Sequence, residues 1–122
     1  MNAAKRKLIT GGLSKPSKMP GYAYNLPAWE CKVGSKLAKV PGSVCHGCYA
    51  LKGRYRFPNV KDAMYRRLAS ITRPDWARTM AGDINARKSR FFRWHDSGDV
   101  QSVKHLLKIF HVCRLTPDVA HW

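Results

Sequence analysis

Four cysteines carry the clearest chemistry in this sequence: Cys31, Cys45, Cys48 and Cys113. Only His46 and Gly47 separate Cys45 from Cys48. That spacing lets both sulfurs turn onto one ion or cluster, and a glycine between them lets the backbone bend closely around it. A structural zinc, an iron–sulfur cluster and disulfides all remain open on spacing alone. Zinc sites usually come as two close pairs, whereas this chain has one pair and two single cysteines. Four thiolates among aromatic residues in a basic chain suit an anionic cluster. The expectation is therefore a 4Fe-4S cluster on Cys31, Cys45, Cys48 and Cys113, with zinc as the alternative.

A second chemical stretch is His95-Asp96-Ser97-Gly98-Asp99. The bulky run from Arg90 to Trp94 reads as a strand, and helical spacing follows it. A polar loop between strand and helix lies where α/β proteins collect ligands, at the carboxyl end of a strand. His95 is a candidate general base, and Asp96 a candidate to orient it or to receive an amine. Asp99 joins them as a catalytic candidate. The simpler reading is a turn in which Ser97 or Asp99 only caps the next helix.

The elements that must position these residues are legible in part. Val60, Met64, Leu68 and Ile71 predict a helix over about 60–72, with Asn59 as its cap. Trp76, Met80 and Ile84 predict a second, begun near Pro74 and ending about Arg87. Val103, Leu106, Leu107 and Phe110 predict a third, to about Val112. Tyr22, Tyr24 and Trp29 precede Cys31 and read as an apolar lid over the metal, or as rings that stack on bases. The fold expected is a small α/β or irregular α+β domain with about three helices, one to three short strands and long loops. Residues 1–16, with Gly11, Gly12 and Pro16, are expected as a flexible basic arm, and 17–122 as the cluster-binding domain.

The charge is lopsided, with 23 Lys and Arg against 7 Asp and Glu. Such an excess points to a polyanionic partner, nucleic acid or an acidic protein. Lys52, Arg54, Tyr55, Arg56 and Phe57 alternate base and ring in the manner of single-strand binding. No apolar run is long enough to span a bilayer. Met1–Thr10 has basic residues but no apolar stretch after them, which predicts no secretory signal and a cytoplasmic protein.

Three stretches together are similar to a known family. They are residues 17–28 (Ser-Lys-Met-Pro-Gly-Tyr-Ala-Tyr-Asn-Leu-Pro-Ala), 42–50 (Gly-Ser-Val-Cys-His-Gly-Cys-Tyr-Ala) and 92–99 (Phe-Arg-Trp-His-Asp-Ser-Gly-Asp). They resemble the phage gene product 88 family from about residue 14 onward. The resemblance implies a phage-encoded protein, acting in the host cytoplasm. Its cysteine-rich front half and polar loop also look distantly like radical S-adenosylmethionine enzymes. Those enzymes hold three cysteines in one short loop and leave one iron open. Here Cys31 lies far from Cys45, and Cys113 is available to close the fourth position. Three functions follow as expectations: a redox or regulatory iron–sulfur protein that contacts nucleic acid, a zinc-stapled nucleic-acid-binding module, and a reduced radical-type enzyme.

Overall fold

Trp76, Met80 and Ile84 share one face of a helix at 3.6 residues per turn, and all three are buried. They form the centre of the core, with Tyr24 and Phe92 from two strands and Ile109 and Val112 from the last helix. The computed structural model describes residues 1–17, 19–31, 34–43, 46–48 and 56–122. Cys45 and the stretch from Tyr49 to Tyr55 lie outside the described residues, and with them most of the basic–aromatic segment singled out above.

In chain order the elements are α1 (Ala3–Thr10), β1 (Tyr22–Tyr24), a 3-10 turn (Ala28–Glu30), α2 (Gly34–Leu37), α3 (Pro58–Ser70), α4 (Trp76–Ala86), β2 (Phe91–Trp94), α5 (Val103–Leu115) and β3 (Ala120–His121). The sheet has the order β1-β2-β3 and is parallel throughout. Tyr22 pairs with Phe92 and Tyr24 with Trp94, while Phe92 pairs with His121. This is the small mixed α/β domain expected. Parallel strands require crossover connections, and α5 supplies the one between β2 and β3.

Four local readings change. Ala3–Thr10, expected as aperiodic arm, is helical; Asn2 accepts the Lys5 N–H at 2.9 Å and Gly11, at φ +86°, ends the helix. Capping and the burial of Ile9 and Thr10 decide this, neither of which shows as periodicity in so short a segment. The helix predicted over 60–72 starts at Pro58, which needs no donor at a first helical position; Asn59 does not cap it. Ser102 caps α5 by accepting the His105 N–H at 3.0 Å, so neither Ser97 nor Asp99 does. The apolar stripe on α5 is also rotated. Val103 (75% exposed), Leu107 (58%) and Phe110 (52%) face outward, and His105, Ile109 and Val112 face the core.

Candidate functional site at the carboxyl edge of the sheet

Because the strands are parallel, the chain leaving β1 and the chain leaving β2 emerge at the same edge. They are bonded together there. The His95 N–H donates to the Tyr24 carbonyl at 3.1 Å, and the Leu26 N–H to the Ser97 carbonyl at 2.9 Å. The Ser97 hydroxyl donates to the Leu26 carbonyl at 2.9 Å. Gly98 sits at φ +83°, where a Cβ would lie 2.6 Å from the Leu26 Cβ. Only glycine combines that backbone angle with that approach. Ser97 and Gly98 therefore join the two loops.

The β1 side of the edge runs through Asn25, Leu26 and Pro27 into the 3-10 turn and then Cys31. Two contacts pin this turn to α3. Lys61 Nζ lies 4.5 Å over the Trp29 ring, and the Tyr65 hydroxyl donates to Glu30 Oε1 at 3.1 Å. Cys31 is thus delivered from a fixed turn, and its side chain is half-buried, as is that of Cys48. Near Cys48, His46 donates through Nδ1 to the Ala38 carbonyl at 3.0 Å, and its backbone N–H donates to the Ser43 carbonyl at 3.1 Å.

Cys113 comes from a different element. It lies near the C-terminal end of α5, which returns to the amino edge of the sheet, where the Asn85 side chain of α4 donates to the Leu115 carbonyl at 3.5 Å. Its thiol packs against the core beside Trp94, and burial pushes its pKa up. Cys31, Cys48 and Cys113 form no disulfide with one another. Among the described residues no three of His, Cys, Asp and Glu stand together as a ligand set. With Cys45 outside those residues, the donor chemistry itself is what bears on fit: thiols spaced as Cys45-His46-Gly47-Cys48, with Cys31 leading in, suit a soft metal or cluster.

On the β2 side, His95 has φ +59°, a left-handed backbone angle that is uncommon outside glycine and costs about 1 kcal/mol or more. Its ring centre lies 5.4 Å from that of His105. His105 Nδ1 accepts the Gln101 N–H at 3.1 Å, so in the neutral ring the proton sits on Nε2. The Nε2 atoms of both rings are buried and have no hydrogen-bond partner among the described residues. Burial pushes both pKa values down to about 4, opposed at His95 by Asp99. The pair is therefore uncharged at neutral pH. His105 offers a donor there, and His95 can take or pass a proton.

Asp96 and Asp99 differ in role. Asp99 Oδ1 accepts the Val100 N–H at 2.7 Å, which holds the turn. Asp96 is 5% exposed, and its negative charge favours the charged form of Arg67. Arg67, itself 5% exposed, donates through Nε to the Gly12 carbonyl at 2.7 Å and through a terminal nitrogen to Asn25 Oδ1. Burial draws its pKa down to about 10, so it remains a cation beneath the edge.

Arg67, Asn25 and His105 were not singled out from sequence, yet a signal existed for two of them. Arg67 falls between Met64 and Ile71 at spacings of three and four, on the buried stripe of α3. His105 shares its face with Ile109 and Val112 in the same way. Asn25 had no comparable mark.

The architecture is that of a small mixed α/β protein with two loops joined at the carboxyl edge of a parallel sheet. The family model for gene product 88 matches residues 1–122, and the chain belongs to that family of phage gene products. No curated protein and no solved structure matches it. No helix among the described residues is long and apolar enough to cross a membrane.

Proposed function

We propose that this protein binds an iron–sulfur cluster, of the 4Fe-4S type, at the carboxyl edge of its sheet and serves a redox or regulatory role. The observation that supports this reading is the position of the chain that leads from β1 to Cys31. It leaves the same edge from which the His95–Asp99 loop emerges, and Leu26 and Ser97 bond the two together. Ligand sites of parallel α/β sheets collect at this edge. Cys31, Cys45 and Cys48 would supply thiolates from one segment. Cys113, the expected fourth ligand, would come from the last turns of α5, where its thiol packs beside Trp94 at the end of β2. Bound, such a cluster supplies one-electron chemistry. The neighbouring polar loop, with His95 and Asp96, would contribute proton exchange and charge.

Anaerobic purification followed by iron, zinc and acid-labile sulfide analysis tests the reading. Iron and sulfide in nearly equal amounts, with broad visible absorption, are the expected result. Stoichiometric zinc without sulfide would replace the cluster with a structural zinc. Neither metal at stoichiometry in anaerobic protein would end both readings.

A further inference from the structure

A second site lies on the other side of Arg67. A cleft of about 360 Å³ opens where α1 meets α3 and α4. Four cationic side chains line it: Lys7 from α1, Arg66 and Arg67 from α3, and Arg87 from α4. Its one carboxylate, Asp83, is 2% exposed and already held by Arg6 Nε at 3.2 Å and Arg87 Nε at 3.7 Å. Asp83 is thus shared between Arg6 and Arg87, and Lys7 and Arg66 have no carboxylate of their own among the described lining residues.

The cations are also positioned rather than merely numerous. Arg66 gives its Nε to the Gly11 carbonyl at 3.2 Å, which orients the guanidinium and leaves its terminal nitrogens without a partner among the described residues. The Lys7 ammonium has no hydrogen-bond acceptor or ion-pair partner among them, while its stem lies beside Gly12. Beyond the cleft, the Arg87 guanidinium is 5.3 Å from the centre of the Tyr22 ring, and Lys15 Nζ is 5.5 Å from it. The positive strip thus continues past the cleft around an aromatic ring.

We infer that this cleft is a phosphate-binding site, with Lys7 and Arg66 as the direct anion contacts and Arg87, Tyr22 and Lys15 extending it along a phosphodiester chain. A guanidinium held at Nε presents its fork to phosphate oxygens, and a lysine adds a point charge. The volume suits a nucleotide, and an aromatic ring beside cationic side chains suits an unpaired base next to its phosphate. The site is separate from the cysteine edge, and the inference does not depend on the identity of the metal.

The test uses the full chain as purified, with a fluorescent oligothymidylate, ATP and inorganic phosphate as probes. The double variant Lys7→Gln/Arg66→Gln should bind the oligonucleotide at least about tenfold more weakly. Its plot of log affinity against log salt should be shallower by about 1.4, two contacts at about 0.7 each. Lys104→Gln/Arg114→Gln, with the same charge change on α5, should leave both nearly unchanged. Lys7→Gln alone, which breaks no bond among the described residues, should lose about half the slope change and guards against a folding defect. Titrating each probe into ¹⁵N-labelled protein should move the Gly11 and Gly12 amides before Gly98. Movement with oligonucleotide alone identifies a nucleic-acid backbone as the source of phosphate; movement with ATP or phosphate as well identifies a free nucleotide or phosphate. Equal weakening by the two double variants, or no shift at Gly11 and Gly12 with any probe, would overturn the site.

Discussion

The indole N–H of Trp76 donates to the Tyr24 hydroxyl across 3.1 Å at the centre of the core. The same hydroxyl bonds the Thr10 carbonyl and lies 3.2 Å from the Arg67 carbonyl. One phenol thereby ties β1 to α1, α3 and α4, and burial pushes its pKa well above the ordinary phenol range. Tyr24→Phe keeps the ring and removes only the oxygen. It should cost about 1–3 kcal/mol, because the Trp76 donor is left buried without an acceptor. Denaturant unfolding checks this; an unchanged midpoint and slope would show that the hydroxyl contributes nothing net.

Two glycines should respond in opposite directions. Gly98→Ala forces a left-handed alanine against Leu26 and should destabilise by about 1–3 kcal/mol, with faster exchange of the Leu26 amide. Gly82, inside α4, has nothing within 4 Å of an added Cβ, and Gly82→Ala should stabilise by about 0.5–1 kcal/mol. Paired thermal melts decide the matter. A Gly98→Ala protein as stable as the parent would mean that the two loops are not locked together.

The His95–His105 pair predicts an acid-sensitive fold. Both pKa values fall from 6.5 to about 4 by burial, so the unfolded chain takes up protons more readily than the folded one. Stability is complete above about pH 6.5 and is lost as pH falls toward 4. Within that window the two rings contribute a slope of up to about 2.7 kcal/mol per pH unit together. His121, pushed the same way by burial, steepens it. Imidazole resonances titrated by NMR should place His95 and His105 near 4; midpoints near 6.5 would remove the prediction.

Cysteine replacements separate the ligand sets. Cys31→Ser, Cys45→Ser and Cys48→Ser should each lower metal content and solubility together, since metal binding and folding are linked. Cys113→Ser should retain most of the metal, given its place on α5. Equal loss of metal in all four variants would show that Cys113 does reach the cluster.

Reading the sequence worked best where a pattern repeats. The stripe of Trp76, Met80 and Ile84 located α4, and the run of bulky residues before His95 located β2. It located α5 but not its buried face, because two apolar stripes compete there and neither hydropathy nor spacing says which one a parallel sheet will cover. The buried stripe is the one that carries His105, a polar residue that a search for apolar periodicity passes over. Helix α1 is held by a cap and by distant bonds to Tyr24 and Asp83, which are invisible in eight residues taken alone. The loops at the carboxyl edge were legible as chemistry, but their bonding through Leu26 and Ser97 joins residues 71 apart in sequence, beyond the reach of any local signal.

The separation of register partners bears on the order of assembly. Phe92 and His121 close a stretch of about 30 residues, while Tyr22 and Phe92 close one of about 70. Ring-closure entropy makes the longer one costlier by about 1 kcal/mol. The βαβ unit of β2, α5 and β3 can therefore form first, and β1 docks against it afterwards. Docking of β1 is the event that brings Leu26 to Ser97. Until β1 docks, the Leu26–Ser97 join that completes the carboxyl edge is missing.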